Sequence, residues 1–349
     1  MINPKIFREY DIRGIVGQDL NEDFAYLLGR AFASLAKDAG KSRLAVGFDC
    51  RHSSEAYAEA LARGLADGDT HCTVIGRSPS PQLYWALANK KFEGGIQVTG
   101  SHNPRDMNGF KLCLGNRTLS GVQIQEIKSR MEQLVQVSPS FKPAKIIRQD
   151  VRDEYIADLS SKVKPYMGKR RLKVVADAGN GIAGEAGTQV LRNIGVEVVE
   201  LYCEPDGDFP NHHPDPTVME NIKELAVRVR ETGADFGIGW DGDGDRIGAV
   251  DERGQVIFGD MLLLLYARAV LKDVPGALII GDVKCSTRLF DDIRRHGGKP
   301  LMYKTGHSLI KNKMRELGAE LAGEMSGHIF FKQRYYGCLL YTSPSPRDS

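Results

Sequence analysis

Residues 172–201 read LKVVADAGNGIAGEAGTQVLRNIGVEVVEL, and this stretch decides the fold class. The apolar runs at 172–177 and 196–201 have the length and composition of buried strands. Between them, a glycine-rich turn at 178–184 leads into a helix-like run that ends at Gly195. Strands alternating with helices indicate α/β layering, so we predict an α/β fold.

The same alternation occurs before and after this stretch, and it divides the chain into three units. We predict a first domain over residues 1–140, a second over 151–252 and a third over 254–337. A polar stretch with Pro139 and Pro143 separates the first two. Three similar units in series suggest a duplicated architecture, although no residue-level repeat is visible.

The final residues, 338–349, differ in composition from the rest of the chain. They read CLLYTSPSPRDS, are rich in serine and proline, and do not continue the preceding strand pattern. We expect this tail to be either disordered or not the native continuation of the protein, and we favour the second interpretation.

The composition argues against several classes of protein. The chain has 47 basic and 45 acidic residues, interspersed along its length, which disfavours a nucleic-acid binder. The most apolar run, at 261–267, is far shorter than the roughly 20 residues that a membrane span needs, and no signal peptide opens the chain. The six cysteines form no CxxC motif, so we expect reduced thiols in a cytoplasmic protein. Nothing indicates an obligate protein partner.

A polar loop at residues 98–111, VTGSHNPRDMNGFK, lies between two predicted strands. One strand ends at Thr99 and the next begins at Phe110, so the loop follows a strand end, where α/β proteins commonly place their sites. Gly100 would let the backbone turn tightly and approach a ligand. Ser101 would then be exposed, and such a serine can carry a covalent intermediate when neighbours stabilise charge and move protons.

The neighbours of this serine favour some chemistries over others. His102, Asn103 and Lys111 lie close to Ser101 in sequence. The loop has no GxSxG elbow, and adjacent serine and histidine side chains cannot easily face each other as nucleophile and base, so an esterase is disfavoured. Asn-Pro and Asn-Gly are ordinary turn dipeptides, and a simple polar turn remains an alternative.

A second loop, GWDGDGDRIGAVDE at 239–252, places aspartates at alternate positions, Asp241, Asp243 and Asp245. Carboxylate oxygens on a flexible glycine-rich loop suit Mg²⁺ or Ca²⁺, not Zn²⁺. An EF-hand is disfavoured because Arg246 stands where that motif needs glycine and because the flanks look like strands. A solvated acidic turn is the other alternative, but three crowded carboxylates repel one another unless a cation is bound.

One metal ion can link the two loops. A Mg²⁺ ion held by few protein ligands usually completes its shell with phosphate or water. If Ser101 carries a phosphate, that phosphate can be the fourth anionic ligand, and the ion would polarise it for transfer. Arg246, directly after the acidic run, is placed to contact the same phosphate.

Four motifs together resemble the α-D-phosphohexomutase superfamily, specifically phosphomannomutase/phosphoglucomutase. They are TGSHNP with NGFK (99–111) as the phosphoserine loop, DGDGDR (241–246) as the metal loop, FREYDIRG (7–14) as the substrate loop and GEMSGH (323–328) as the sugar-recognition loop. They occur in the family's order and spacing over residues 1–337. The resemblance implies serial mixed α/β domains, three of them of similar topology, around a central cleft.

The resemblance also implies a role for each matching residue. Phosphorylated Ser101 would bind one Mg²⁺ ion together with Asp241, Asp243 and Asp245. The catalytic residues would be Ser101, His102, Lys111, Arg13 and Arg246, with Lys111 and Arg13 assisting proton transfer. The residues that bind the sugar phosphate would be Tyr10, Asn103, Lys284, His307, Glu324, Ser326 and His328.

Within the last group, the resemblance assigns finer roles to the sugar-recognition loop. Glu324 and Ser326 would each hold a sugar hydroxyl, and His328 could act as a base. Taken singly, Lys284 and His307 would instead be surface or helix-cap residues, and Tyr10 would be a packing residue.

The implied reaction interconverts hexose 1-phosphate and hexose 6-phosphate of mannose or glucose, through phosphoserine and a hexose 1,6-bisphosphate intermediate. Phosphoglucosamine mutase is a sister alternative, which the wording of GEMSGH and FREYDIRG disfavours. A non-catalytic protein that binds Mg²⁺ and sugar phosphate is another. A Mg²⁺-dependent phosphatase is weaker, because it would leave the sugar-recognition loop unexplained.

The resemblance also indicates a departure. The family normally has a smaller fourth domain that binds the non-reacting phosphate of the substrate, and no segment of this sequence matches it. We therefore expect a fragment with the catalytic loops but impaired turnover, because several charge-assisted hydrogen bonds to phosphate would be lost.

Overall fold

The computed structural model describes residues 2–115, 117–135 and 146–335. Its internal contacts divide the chain into two units, which are described separately. The first unit comprises Met1–Arg152 and Asp206–Asp208, and the second comprises Asp153–Pro205 and Phe209–Ser349. The tail predicted at 338–349, with Cys338, lies outside the described residues.

The described part of the first unit contains one seven-stranded sheet, ordered β1-β5-β4-β2-β3-β7 with β6 against β5. Strands β2, β3, β4 and β7 are parallel, and β5 runs antiparallel to both β1 and β4. The carboxyl ends of β2 and β4 therefore lie side by side at one edge. The strands are β1 (Ile12–Ile15), β2 (Arg43–Phe48), β3 (His71–Arg77), β4 (Gly94–Val98), β5 (Met107–Leu114), β6 (Arg117–Thr118) and β7 (Ile146–Arg148).

The helices of the first unit bury apolar faces against this sheet and against one another. Asn21 caps the first helix, because its side-chain oxygen accepts a hydrogen bond from the amide of Phe24. The first two helices approach so closely that a Cβ at Gly64 would lie 2.0 Å from the carbonyl oxygen of Tyr26. The helices are α1 (Glu22–Asp38), α2 (Ser54–Asp67), α3 (Ser80–Asn89) and α4 (Val122–Leu134).

The described part of the second unit contains two sheets. The five-stranded sheet has the order β12-β11-β10-β8-β9, and the four-stranded sheet has the order β14-β13-β15-β16. Strands β8, β9 and β10 are parallel in the first of these, and β13, β14 and β15 are parallel in the second. The strands are β8 (Lys173–Asp177), β9 (Glu197–Leu201), β10 (Phe236–Trp240), β11 (Ile247–Asp251), β12 (Val256–Ile257), β13 (Leu278–Asp282), β14 (Lys299–Tyr303), β15 (Leu321–Gly323) and β16 (Ile329–Phe331).

Helices connect most of these parallel strands, as βαβ units require. One of them, α8, packs its leucines against both sheets of the unit, since Leu263 is fully buried in a cluster that also contains Ala249 and Ile279. The helices are α5 (Arg152–Val163), α6 (Ala183–Asn193), α7 (Met219–Thr232), α8 (Gly259–Asp273), α9 (Thr287–Arg295) and α10 (His307–Leu317). Short 3₁₀ turns occur at Pro4–Ile6, Lys164–Tyr166 and Lys332–Arg334.

The predicted α/β class is confirmed, and some predicted bounds are corrected. The strand after the serine loop begins at Met107 rather than at Phe110, because β5 extends to pair Asn108 with Gly14 of β1. The Asn-Gly pair at 108–109 therefore lies in a strand and does not form a turn. The first sheet also includes β7, which follows the range 1–140 predicted for the first domain, and the five-stranded sheet includes β12, which falls in the range 254–337 predicted for the third.

The described residues also bear on redox state and membrane insertion. Within the described ranges, the cysteines are present as thiols, not disulfides: Cys50, Cys72, Cys113, Cys203 and Cys285. No helix of the described residues has the length and apolar character that crossing a bilayer requires. The cytoplasmic location remains a prediction.

Candidate active site

In the first unit, the serine loop follows the carboxyl end of β4. Ser101 adopts a left-handed backbone, with φ of 51°, and it is only 2% exposed. The expectation of an exposed serine is therefore wrong. The loop folds back because hydrogen bonds hold both backbone groups of Ser101: its amide donates to Oγ1 of Thr99 at 2.8 Å, and its carbonyl accepts from Arg51 at 2.9 Å.

The same backbone conformation brings two side chains together that the sequence analysis kept apart. The Oγ of Ser101 lies 3.2 Å from Nδ1 of His102, which is within hydrogen-bonding distance. The argument that adjacent serine and histidine cannot face each other is wrong here. The left-handed turn at Ser101, an uncommon conformation for a residue other than glycine, redirects the chain between them.

Two residues that the sequence analysis missed hold this loop. Arg51 donates to four backbone carbonyls in the segment from Ser101 to Met107. Asp49 accepts hydrogen bonds from Oγ1 of Thr99 and from the amide of Gly100. Both follow the carboxyl end of β2, the strand beside β4, and that position was the available sequence signal.

The role of Gly100 also differs from the expectation. A Cβ at this position would lie 2.4 Å from Nε and 2.5 Å from Cζ of Arg51. Glycine is needed because the guanidinium of Arg51 occupies the space that a side chain would fill. Gly100 therefore allows close packing against Arg51, whereas we expected it to allow close approach to a ligand.

Arg13 and Lys111 lie on one face of the first sheet. Arg13 pairs with Gly109 across β1 and β5, and Lys111 is two residues further along β5, so their side chains share a face. Lys111 is 2% exposed, and Nε of Arg13 lies 2.6 Å from Oδ2 of Asp11. The structure thus brings together two of the predicted catalytic cations.

The other predicted residues of this unit lie around the same loop or apart from it. The carbonyl of Asn103 accepts a hydrogen bond from Arg51, whereas its side-chain Nδ2 is buried without a hydrogen-bond partner in the structure. Tyr10 lies two residues before the start of β1 and is partly exposed. Its role in binding the sugar phosphate stays a prediction.

In the second unit, the acidic loop is the turn between the antiparallel strands β10 and β11, which excludes the helix-loop-helix of an EF-hand. Ligand atoms of Asp241, Asp243 and Asp245 all lie within 4.8 Å of one another, and the three side chains are at most 2% exposed. The Oδ1 of Asp241 also accepts the amides of Asp245 and Arg246, at 3.0 and 3.1 Å. The loop is therefore closed partly by one of its own carboxylates.

The donor set of this loop fits a metal ion. Three buried carboxylates converge within a radius that one cation could span, and oxygen donors are the ligands that Mg²⁺ and Ca²⁺ prefer. Burial strengthens the mutual repulsion of these carboxylates, which a bound cation would relieve. Arg246 contributes positive charge only at longer range, with Nε 4.0 Å from Oδ2 of Asp241.

His328 joins the acidic loop to the sugar-recognition loop. Its Nε2 lies 3.1 Å from Oδ1 of Asp245, and its Nδ1 lies 2.8 Å from Oε2 of Glu324 and 3.2 Å from Oγ of Ser326. The backbones also meet, because the amide of Ile247 donates to the carbonyl of Gly327 at 3.1 Å. The structure thus brings the three aspartates predicted to bind metal close to three residues predicted to bind the sugar, Glu324, Ser326 and His328.

This contact perturbs both ionisable partners of the sugar-recognition loop. Burial lowers the pKa of His328, but the charges and hydrogen bonds of Asp245 and Glu324 raise it more, so the net pKa is raised. Burial raises the pKa of Glu324, but the hydrogen bond and charge of His328 lower it more, so the net pKa is lowered. Their contact thus favours the imidazolium form of His328 and the carboxylate form of Glu324.

The remaining predicted residues follow the carboxyl ends of β13, β14 and β15, which are adjacent and parallel. Glu324 directly follows β15, and its Oε1 accepts the amide of Gly306 at 2.6 Å, which fixes the start of α10 at His307. The rings of His307 and His328 are 5.4 Å apart. Within the described residues, no hydrogen bond or ion pair links Lys284, which is exposed after β13, to this group.

Asp282 organises these loops and was missed in the sequence analysis. Its Oδ1 accepts the amide of Met325 at 3.2 Å, and its Oδ2 accepts Oγ1 of Thr305 at 2.9 Å. One buried carboxylate thus ties the turn that carries Lys284 to the other two loops of the sheet. Its position at the last residue of β13 was the only signal in the sequence.

A second group of possible metal ligands lies on the surface of the first unit. It consists of His52, Asp206 and Asp208, all exposed. Asp208 already pairs with Nε2 of His52 at 3.3 Å and with Nη1 of Arg105 at 3.4 Å. Because the cluster is exposed and Asp208 is already paired with His52 and Arg105, we do not assign a metal to it.

Three family models match consecutive parts of the chain. They describe the alpha/beta/alpha domains of phosphoglucomutase/phosphomannomutase: domain I at residues 4–137, domain II at 153–254 and domain III at 258–340. The fold and the site loops therefore define a protein of the sugar-phosphate mutase class.

Relatives match along nearly the whole chain. It is 45% identical over 332 residues to a phosphomannomutase/phosphoglucomutase of Pseudomonas putida, across 95% of this chain and 70% of the relative. It is 43% identical over 336 residues to a phosphoglucomutase of Neisseria gonorrhoeae, across 96% and 72%. A solved phosphoglucomutase/phosphomannomutase family protein from Burkholderia thailandensis matches with a TM-score of 0.91 and 43% identity, covering 97% of this chain and 74% of that one. The chain belongs to the phosphoglucomutase/phosphomannomutase family, as its motifs indicated.

Proposed function

We propose that the chain is a phosphohexomutase that interconverts hexose 1-phosphate and hexose 6-phosphate of mannose or glucose. One observation above all supports this: three buried aspartates converge, and one of them, Asp245, contacts His328 of the loop at 323–328. Metal-binding and sugar-binding residues in one cluster suit phosphoryl transfer to or from a sugar. The names of relatives at about 45% identity point to the same substrates.

The reaction would proceed in two transfers. In the first, the bond between Oγ of phosphorylated Ser101 and phosphorus breaks, while a hydroxyl oxygen of the hexose monophosphate bonds to phosphorus and loses its proton, and the released Oγ takes up a proton. The products are hexose 1,6-bisphosphate and unmodified Ser101. In the second, Oγ of Ser101 loses its proton and attacks the other phosphate, and the released sugar oxygen takes up a proton.

The residues of the first unit would move these protons and stabilise charge. His102, whose Nδ1 lies 3.2 Å from Oγ of Ser101, is placed to accept the serine proton in the second transfer. Lys111 and Arg13, on one face of the sheet, would stabilise the reacting oxygens and assist proton transfer to the sugar. Asn103 would bind the sugar phosphate through its amide.

We assign one Mg²⁺ ion to Asp241, Asp243 and Asp245, with the phosphate of Ser101 as a further ligand. When bound, the ion would supply positive charge that neutralises the transferring phosphoryl group. Arg246 would contact the same phosphate, because its side chain lies beside Asp241 and is partly exposed.

The sugar-recognition residues would orient the hexose. Glu324 and Ser326 would hold its hydroxyls, with Tyr10, Lys284 and His307 contacting the sugar phosphate. His328 lies between the carboxylates of Asp245 and Glu324, and its own pKa is raised. We therefore propose that it bridges the metal loop and the sugar-recognition loop as an imidazolium rather than acting as a base.

The test is the intact mass of the 349-residue chain after incubation with glucose 1,6-bisphosphate and Mg²⁺. We expect the mass of one added phosphoryl group, and we expect none in Ser101→Ala, because the acceptor hydroxyl is gone. Ser129→Ala, which removes an exposed hydroxyl on α4, is the matched control and should still take up the group.

Persistent phosphorylation of Ser101→Ala would show that another residue is the carrier. Rates on mannose 6-phosphate and glucosamine 6-phosphate then separate the two mutase activities. We expect the faster turnover on mannose 6-phosphate, and faster turnover on glucosamine 6-phosphate would favour phosphoglucosamine mutase instead. If the chain binds glucose 1,6-bisphosphate and Mg²⁺ but takes up no phosphoryl group at Ser101, it is a binding protein rather than an enzyme.

A further inference from the structure

One buried ion pair of the first unit takes no part in the reaction proposed above. Nε of Arg51 lies 3.4 Å from Oδ2 of Asp49, and each side chain is only 1% exposed. Burying two charges requires their desolvation, which is offset only when good hydrogen bonds satisfy both groups. The hydrogen-bond partners of Arg51 and Asp49 therefore indicate the role of this ion pair.

The partners of Arg51 are backbone carbonyls of the serine loop. Its Nη2 donates to the carbonyls of Ser101 at 2.9 Å and Asn103 at 2.5 Å. Its Nη1 donates to the carbonyls of Pro104 at 2.6 Å and Met107 at 2.9 Å. A guanidinium is planar and rigid, so one side chain fixes the relative positions of four carbonyls.

Asp49 holds the beginning of the same loop. Its Oδ2 accepts Oγ1 of Thr99 at 2.7 Å and the amide of Gly100 at 3.2 Å. Its Oδ1 accepts the amide of Arg51 at 3.0 Å and Oγ of Ser54 at 2.5 Å. The carboxylate thus anchors the loop to the turn after β2 and to the start of α2.

The two anchors meet at Ser101. Thr99 donates its hydroxyl to Asp49 and accepts the amide of Ser101, while Arg51 binds the carbonyl of Ser101. The peptide groups on both sides of this residue are therefore fixed. A left-handed backbone at a residue other than glycine is unfavourable and persists only where such contacts over-determine it.

We infer that Asp49, Arg51 and Thr99 are positioning residues for phosphoryl transfer. They hold Ser101 in its left-handed conformation, which keeps Oγ pointing in one direction and within 3.2 Å of Nδ1 of His102. None of the three needs to touch substrate. This inference rests on the proposed role of Ser101 as the phosphoryl carrier.

The test measures the single-turnover rate at which Ser101 takes up a phosphoryl group from glucose 1,6-bisphosphate, by intact mass. Thr99→Val removes the hydroxyl that links Asp49 to Ser101 with little change in shape, and Arg51→Lys keeps the charge but not the planar fork. We expect each to lower the rate by about a hundredfold, as misplacement of a reacting group does. The bisphosphate concentration at half-maximal rate should stay nearly constant, because substrate contacts are unchanged.

Two controls separate positioning from general destabilisation. Thr99→Ser keeps the hydroxyl and should restore most of the rate that Thr99→Val loses. Arg148→Lys makes the same chemical change at an exposed arginine that pairs with Glu59, and it should react like the wild type. Thermal unfolding shows whether each variant is folded at the assay temperature, and if Arg51→Lys is not, Thr99→Val decides.

Folded Thr99→Val that reacts at the wild-type rate would overturn the inference. A rate that falls equally in Thr99→Val and Thr99→Ser would also overturn it, because the hydroxyl would then be irrelevant. If the wild type itself takes up no phosphoryl group, the proposed function fails and the inference fails with it. If the wild type reacts and the variants match it, only the positioning role is lost.

Discussion

The serine loop and the acidic loop are held in place in different ways. The serine loop is bound by Arg51, which is 50 residues away from Ser101 in sequence. The acidic loop is closed largely by itself, because Asp241 accepts the amides of Asp245 and Arg246 only four and five residues further on. One loop depends on a distant side chain, and the other depends on a local ring of hydrogen bonds.

The difference matches the role that we propose for each loop. A serine that exchanges a phosphoryl group needs a fixed backbone direction, and a rigid guanidinium from outside the loop supplies it. Three aspartates that converge on a cation need a tight turn between paired strands, and a local ring supplies that. One longer-range contact of the acidic loop is with His328, which connects it to the residues predicted to bind the sugar.

The largest effect that tests this comparison is loss of metal binding from the acidic loop. Asp243→Asn removes one converging carboxylate without touching the two hydrogen bonds that close the loop through Asp241. We expect the affinity for Mn²⁺, measured from the free-ion signal in electron paramagnetic resonance, to fall by more than about a hundredfold. Asp241→Asn should in addition lower the melting temperature, because it weakens the ring itself.

The control for metal binding is the exposed acidic group of the first unit. Asp206→Asn changes the His52, Asp206 and Asp208 cluster and should leave Mn²⁺ affinity unchanged. If Asp206→Asn rather than Asp243→Asn abolished binding, the metal site would be assigned to the wrong loop.

A smaller effect concerns the segment that supports the acidic loop. The amide of Gly242 donates to the carbonyl of Pro214. The segment that contains Pro214 is held in place by His212, whose Nε2 lies 3.0 Å from Oδ2 of Asp177. Burial lowers the pKa of His212, but the hydrogen bond and charge of Asp177 raise it more, so the net pKa lies above its usual value. The histidine therefore binds its proton more tightly in the folded protein than in the unfolded chain.

The sign of the pH dependence follows from the raised pKa. The stabilisation is fully present below the unfolded pKa of 6.5 and is lost as pH rises through the folded pKa. His212→Gln should therefore lower the free energy of unfolding by about 1–3 kcal/mol near pH 6 and by less near pH 9. A His212→Gln deficit that grows with pH would contradict the assignment.

Much of the fold was predictable because it depends on local patterns. The strands predicted at 172–177 and 196–201 are present as β8 and β9, each within one residue of the expected bounds. The sequence analysis missed α5, which has few apolar residues, and β15, which has only three residues. Helix α5 is defined by packing, and β15 is defined by its pairing with β13 and β16. Hydrophobic periodicity does not reveal either of them, because α5 is too polar and β15 is too short.

The site was predictable in its motifs but not in its supports. Glycine-separated aspartates and the TGSHNP motif are visible in the sequence because they are contiguous. Arg51 and Asp49 were missed because their partners are mostly backbone groups about 50 residues away, and backbone acceptors leave no trace in residue type. The contact of Ser101 with His102 depends on a positive φ, which residue type does not predict at a serine.

The central claim is that phosphorylated Ser101 and the three aspartates act on one metal ion. The most direct measurement is the ³¹P resonance of the phosphorylated chain during titration with Mn²⁺. We predict strong paramagnetic broadening at stoichiometric Mn²⁺ that disappears in Asp243→Asn. A phosphoserine resonance that stays sharp while the aspartates bind Mn²⁺ would contradict the account.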